Sequence, residues 1–110
     1  MTAHRRAWRM RLRPGAEAAY DAAHAAVWPE LLAEMHANGI AIFRIFRDGG
    51  DIFAYQERTA PFPAPGAEPS ETMRRWWREM EPLMVTDMDG RPVQRMLTEV
   101  FDLDAAGPAE

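Results

Sequence analysis

The chain has 110 residues, 47% of them hydrophobic and 27% charged, with a formal net charge of −4 and no cysteine. That length makes one domain able to bury about 60–70% of the surface its unfolded chain exposes, and the composition is that of a folded globular protein. The acidic balance argues against nucleic acid as a partner, the missing thiols exclude disulfides, thiolate metal sites and a cysteine nucleophile, and no signal core or membrane-spanning run occurs, so a cytoplasmic protein without membrane contact is expected.

Residues 5 to 13 alternate, with Trp8, Met10 and Leu12 on one face and Arg9, Arg11 and Arg13 on the other, the period of a half-buried strand. Pro14-Gly15 breaks it. Residues 16 to 37 then read as one helix, in which Pro29 removes a hydrogen bond and introduces a kink, and Asn38-Gly39 ends it with a left-handed cap. Residues 40 to 47 and 51 to 57 are rich in strand formers and are joined by Asp48-Gly49-Gly50, which predicts a hairpin. Pro61, Pro63, Pro65 and Pro69 make residues 59 to 69 an irregular surface loop. A further helix is expected from the N-cap Ser70, with Glu71 behind it, to about Met84. Residues 95 to 102 alternate again as a last strand, and a disordered tail is expected over 105–110, leaving one domain over 1–104.

The order β-α-β-β-α-β is the ferredoxin-like, split βαβ pattern of an α+β fold. Two helices would cover one face of a four-stranded antiparallel sheet. The other face, with Ile42, Phe46 and Ile52 as candidates, stays apolar enough to need covering, and a homodimer joined through the sheets, the dimeric α/β-barrel arrangement, is the natural solution.

The chemistry concentrates on two helical stretches. Tyr20 and His24 stand at i and i+4, so phenol and imidazole point into the same space, and Val27, Leu31 and Met35 continue that stripe toward a core. A lone histidine on an apolar face is more often a satisfied core residue than a catalyst, yet histidine is the usual acid/base near neutrality. His4, His24 and His36 lack ligand spacing, so no metal site is expected. In the second helix Met73, Trp76, Trp77, Met80 and Met84 form one stripe. A core stripe explains the methionines. Two adjacent indoles, about 100° apart, can border one cavity from different walls, and tryptophan N–H groups want partners. Such a wall suits a sugar, whose C–H face packs on a ring while its hydroxyls need donors and acceptors; it would also suit haem or a polyketide.

Tyr20-Asp-Ala-Ala-His24, Val27-Trp28-Pro29-Glu30-Leu31, the Gly39 turn, Phe53-Ala54, Arg75-Trp76-Trp77-Arg78-Glu79-Met80 and Glu99-Val100-Phe101-Asp102-Leu103 together resemble the L-rhamnose mutarotase family, over residues 5 to 103 with nearly ungapped spacing. The resemblance implies a dimeric ferredoxin-like enzyme that interconverts the α and β anomers of L-rhamnopyranose with no cofactor or metal. It further implies that His24 is the proton donor and that Tyr20, Phe43, Trp76 and Trp77 contact substrate. The family has a tyrosine at the position of Phe43 and Asn-Pro after the histidine, where this chain has Ala25-Ala26; its tryptophan-containing helical stretch is replaced here by the proline-rich loop. These departures widen the expected substrate to a related hexose or deoxyhexose.

Rival readings are a dimeric α/β-barrel monooxygenase or haem protein using His24 as an axial ligand, and a non-catalytic module that keeps the indoles but not the histidine. The turn at Asp48-Gly49-Gly50 bears on the missing phenol. If all three residues are loop, Phe43 falls opposite Tyr55, whose hydroxyl then enters the same cavity; a two-residue turn sends Tyr55 to the other side.

Overall fold

In the computed structural model, which describes residues 4–64 and 67–106, strand β1 (His4–Arg11) lies inside a four-stranded sheet of order β2-β3-β1-β4. Its neighbours are β3 (Asp51–Arg58) and the short β4 (Arg95–Met96), while β2 (Ile40–Asp48) pairs with β3 and forms an edge; every pairing is antiparallel. The ferredoxin-like α+β architecture is therefore present. No described helix is long and apolar enough to cross a membrane.

Where one kinked helix was expected over 16–37 there are two, α1 (Glu17–Ala25) and α2 (Pro29–Ala37). A residue before proline avoids the helical region, and Trp28 is extended at φ −58°, ψ 134°. Pro29 consequently starts a new helix at its first position, where the missing N–H costs nothing, and Leu31 and Leu32 donate to the Trp28 carbonyl at 3.1 and 3.0 Å. At the far end Gly39 takes φ +84°, with Thr59 Oγ1 only 2.7 Å from where a Cβ would sit, so the expected glycine cap is required on both counts. Helix α3 (Glu71–Met80) opens on Ser70, whose hydroxyl accepts from the Met73 N–H at 3.0 Å, and it ends four residues earlier than expected because Pro82 cannot donate into another turn.

All three helices bury residues against one sheet face. Leu12, Tyr20, Ile52, Met80 and Met84 form the buried cluster, with Met10, Ile45 and Trp76 packed on it. Ile52 pairs with Met10 on one side and Arg47 on the other and is fully buried. It belongs to the helix-covered face, contrary to expectation; Phe46, opposite Phe53, is on the open one. Arg47 ties α1 to β2 through paired bonds to Asp21 at 2.9 and 2.7 Å.

The last strand is shorter than its alternation implied. Only Arg95 and Met96 pair with β1, Leu97 adds one bond to the Ala7 carbonyl, and the chain then follows the sheet edge, with Glu99 and Asp102 bound to Arg5. Alternation supplies a pattern for pairing but not the ladder bonds themselves, and beyond Leu97 the segment is held to β1 through the Arg5 side chain. Residues 103 to 106, including two assigned to a disordered tail, form the short helix α4 (Leu103–Ala106); the remainder of that tail lies outside the described residues.

Candidate active site

Tyr20 and His24 lie on the inward face of α1, ring centroids 4.1 Å apart and 32° from parallel. The imidazole Nδ1 is 2.9 Å from the Tyr20 carbonyl oxygen. A carbonyl only accepts, so Nδ1 carries the proton and a neutral His24 has its lone pair on Nε2. Among the described residues Nε2 has no hydrogen-bond partner. Trp76 meets the imidazole edge-on at 5.4 Å, Trp28 in turn meets Trp76 edge-on at 5.2 Å, and Arg75 stacks on Trp28 at 4.8 Å. The α1–α2 break thus supplies the residue that buttresses Trp76.

His24, Tyr20, Trp76, Trp77 and Phe43 all line one cavity of about 180 Å³. That is below the range of drug-sized sites and on the scale of a single pyranose ring. A second, more open concavity of about 350 Å³ lies on the far side of His24 and Trp76 among Val27, Leu31, Leu32, Met35 and Ile45. Apart from His24 and the Trp76 indole its lining is apolar, whereas the first also carries Arg6, Gln56 and Gln94. Sugar hydroxyls need those donors and acceptors, which selects the first cavity.

Burial holds the Tyr20 phenol up at about 12, with Asp21 adding to the shift, so at neutrality it is a hydroxyl donor and not a phenolate. No described residue bonds that hydroxyl. Asp21 itself stays below the usual carboxylate range because Arg47 donates to it, and it faces that cation instead of the imidazole. Among the described residues no three His, Cys, Asp or Glu side chains gather as a metal-binding group.

Tyr55 is the exception among the expected contacts. Asp48 pairs with Asp51, so the turn is the two residues Gly49-Gly50, with Gly49 at φ +58°. Phe43 is therefore opposite Gln56, and Tyr55, opposite Arg44, projects from the open face and donates to Glu57 at 2.7 Å. It cannot replace the phenol that Phe43 lacks. Gln56, buried and lining the cavity directly across from Phe43, is placed to do so. Gln56→Leu is accordingly expected to weaken sugar binding by about 0.5–1.5 kcal/mol while Tyr55→Phe leaves it unaltered; titrations of sugar monitored by tryptophan fluorescence would separate the two, and the reverse ranking would contradict this geometry.

Sequence reasoning also passed over Arg6 and Trp8. Both share the inward parity of Met10 on β1 and line the cavity, a signal present in the alternation but masked by the run of arginines on the other face.

The chain matches the family model for L-rhamnose mutarotase over residues 5–103. It is 41% identical over 100 residues to the L-rhamnose mutarotase of Burkholderia orbicola strain MC0-3, covering 89% of this chain and 96% of that protein. It is 35% identical over 102 residues to that of Bacteroides thetaiotaomicron, covering 91% and 98%. Among solved structures, the L-rhamnose mutarotase of Formosa agariphila superposes with a TM-score of 0.80 at 31% identity, covering 92% of this chain and 99% of that one.

Proposed function

The chain belongs to the L-rhamnose mutarotase family, and from that membership we propose that it interconverts the α and β anomers of L-rhamnopyranose in the cavity beneath His24. The observation that carries the chemistry is the Nδ1 contact to the Tyr20 carbonyl, which leaves Nε2 as the ring nitrogen free to exchange a proton. Opening the pyranose puts a proton on the ring oxygen, removes one from the anomeric hydroxyl and breaks the C1–O5 bond to give an aldehyde. Rotation about C1–C2 and closure on the other carbonyl face reverses those transfers. Histidine is the usual side-chain acid and base near neutrality, and the Tyr20 hydroxyl donates to a sugar oxygen and orients the ring. Trp76 and Trp77 supply flat walls for C–H faces, so they bind and do not transfer protons.

Polarimetry of freshly dissolved L-rhamnose tests this reading. Catalytic protein should speed the approach to equilibrium rotation, and an unchanged relaxation would overturn it.

The reading includes a homodimer formed through the open sheet face. Its support is the exposed pair Phe46 and Phe53 and, at the opposite sheet edge, the segment bearing Val100 and Phe101, which are 91% and 70% exposed. Light scattering is expected to return twice the chain mass of 12.5 kDa; a monomer at micromolar concentration would contradict the dimer.

A further inference from the structure

The β1–β3 ladder sets Arg6 opposite Gln56, with Trp8 and Arg58 two residues away on the same inward face. The Arg6 guanidinium lies over the Trp8 ring at 5.1 Å and the Phe62 ring at 4.2 Å, and Arg58 approaches Phe62 at 5.4 Å. Two guanidinium groups therefore share one phenyl ring, and Arg6 is the member of the pair that lines the cavity. Arg58 donates to the Asn38 carbonyl at 2.8 Å; among the described residues neither arginine has a carboxylate partner. Arg6 Nε, Trp8 Nε1 and Arg58 Nε are buried with no acceptor.

Buried charges are ordinarily paired, and buried donors ordinarily bonded. Here three buried donors lack an acceptor and two like charges share a ring with no carboxylate beside them among the described residues, and the Arg6 cation is disfavoured first by burial and then by Arg58. Stacking between two rings fixes the guanidinium plane and leaves its edge for an oxyanion, which a planar carboxylate fits with two parallel bonds.

We propose that this end of the cavity binds the carboxylate of a pyranose hexuronate, so that the protein also interconverts the anomers of hexuronic acids. The proposal rests on the mutarotase reading. The C6 carboxylate stands where L-rhamnose has a methyl group and pairs with the Arg6 guanidinium on the cavity wall, while His24 performs the same ring opening at C1. No atom is transferred beyond the protons already described.

Anomer exchange measured by saturation-transfer NMR tests it, on L-guluronate, L-iduronate and D-galacturonate beside L-gulose, L-idose, D-galactose and L-rhamnose. At least one hexuronate is expected to show kcat/KM at least tenfold above its neutral hexose and to inhibit L-rhamnose exchange competitively. Arg6→Gln should lower the hexuronate-to-L-rhamnose ratio at least tenfold, and Arg6→Lys, which keeps the charge but loses the fork, should fall between; the inhibition measurement needs no variant and stands if Arg6→Gln fails to fold. L-rhamnose exchange without hexuronate exchange or inhibition overturns the proposal and leaves the mutarotase reading intact. Exchange of no sugar overturns both. Stronger action on D-glucose 6-phosphate than on any hexuronate overturns the carboxylate assignment in favour of phosphate.

Discussion

His24→Asn is expected to return anomer exchange to the spontaneous rate of the sugar in water while the fold stays intact. Acid/base assistance by one positioned group is worth about 10²–10⁴-fold, and mutarotation needs little beyond it, since only protons move and one carbon–oxygen bond opens and closes. An asparagine amide can still donate to the Tyr20 carbonyl, as Nδ1 does at 2.9 Å, but it offers no group that gains and loses a proton near neutrality. The expected loss therefore falls on turnover and spares packing, which circular dichroism and an unaltered melting transition would verify. Exchange within about threefold of the original protein would assign the proton transfer to another group.

The second large effect concerns stability. Leu31 is fully buried in α2, on the concavity shared with Phe43, Ile45 and Trp76, and it holds the helix that brings Trp28 against Trp76. Leu31→Ala removes buried methyl groups and leaves a void, at a cost of about 2–5 kcal/mol, a large share of the roughly 5–15 kcal/mol that small domains possess. Its neighbour Leu32, 45% exposed, is the control, and Leu32→Ala should stay within about 0.5 kcal/mol of the parent. Denaturant midpoints at constant slope would resolve the pair. Equal effects at the two positions would mean that α2 is not seated on the sheet as described.

Much of the architecture, and which of the expected side chains line the candidate cavity, were legible because they depend on local periodicity. Tyr20 and His24 at i, i+4 and the Met73, Trp76, Trp77, Met80 stripe determine which helix faces turn inward, and both meet at one cavity. The misreadings came from features that periodicity does not specify. Pro29 could kink one helix or begin another, and only the extended Trp28 decides. Ile52 and Tyr55 changed sides because a turn of two residues, not three, reverses the parity of every side chain beyond it. The strand expected over 95 to 102 pairs with β1 only at Arg95 and Met96 and is held further on by side-chain bonds to Arg5, which alternation does not encode. Arg6 was visible in the same alternation as Trp8 and Met10, but a strand pattern cannot tell that its guanidinium folds between two rings and stays without an anion.

The most direct measurement is saturation transfer on equilibrated L-rhamnose in deuterium oxide with catalytic protein. Saturating the α-anomeric proton is expected to diminish the β-anomeric signal at enzyme concentrations where the free sugar shows no transfer, with no deuterium entering at C1 or C2, because ring opening at His24 exchanges hydroxyl protons alone. Absence of transfer would contradict the mutarotase reading, and transfer accompanied by deuterium at C2 would replace it with a carbon-acid isomerisation.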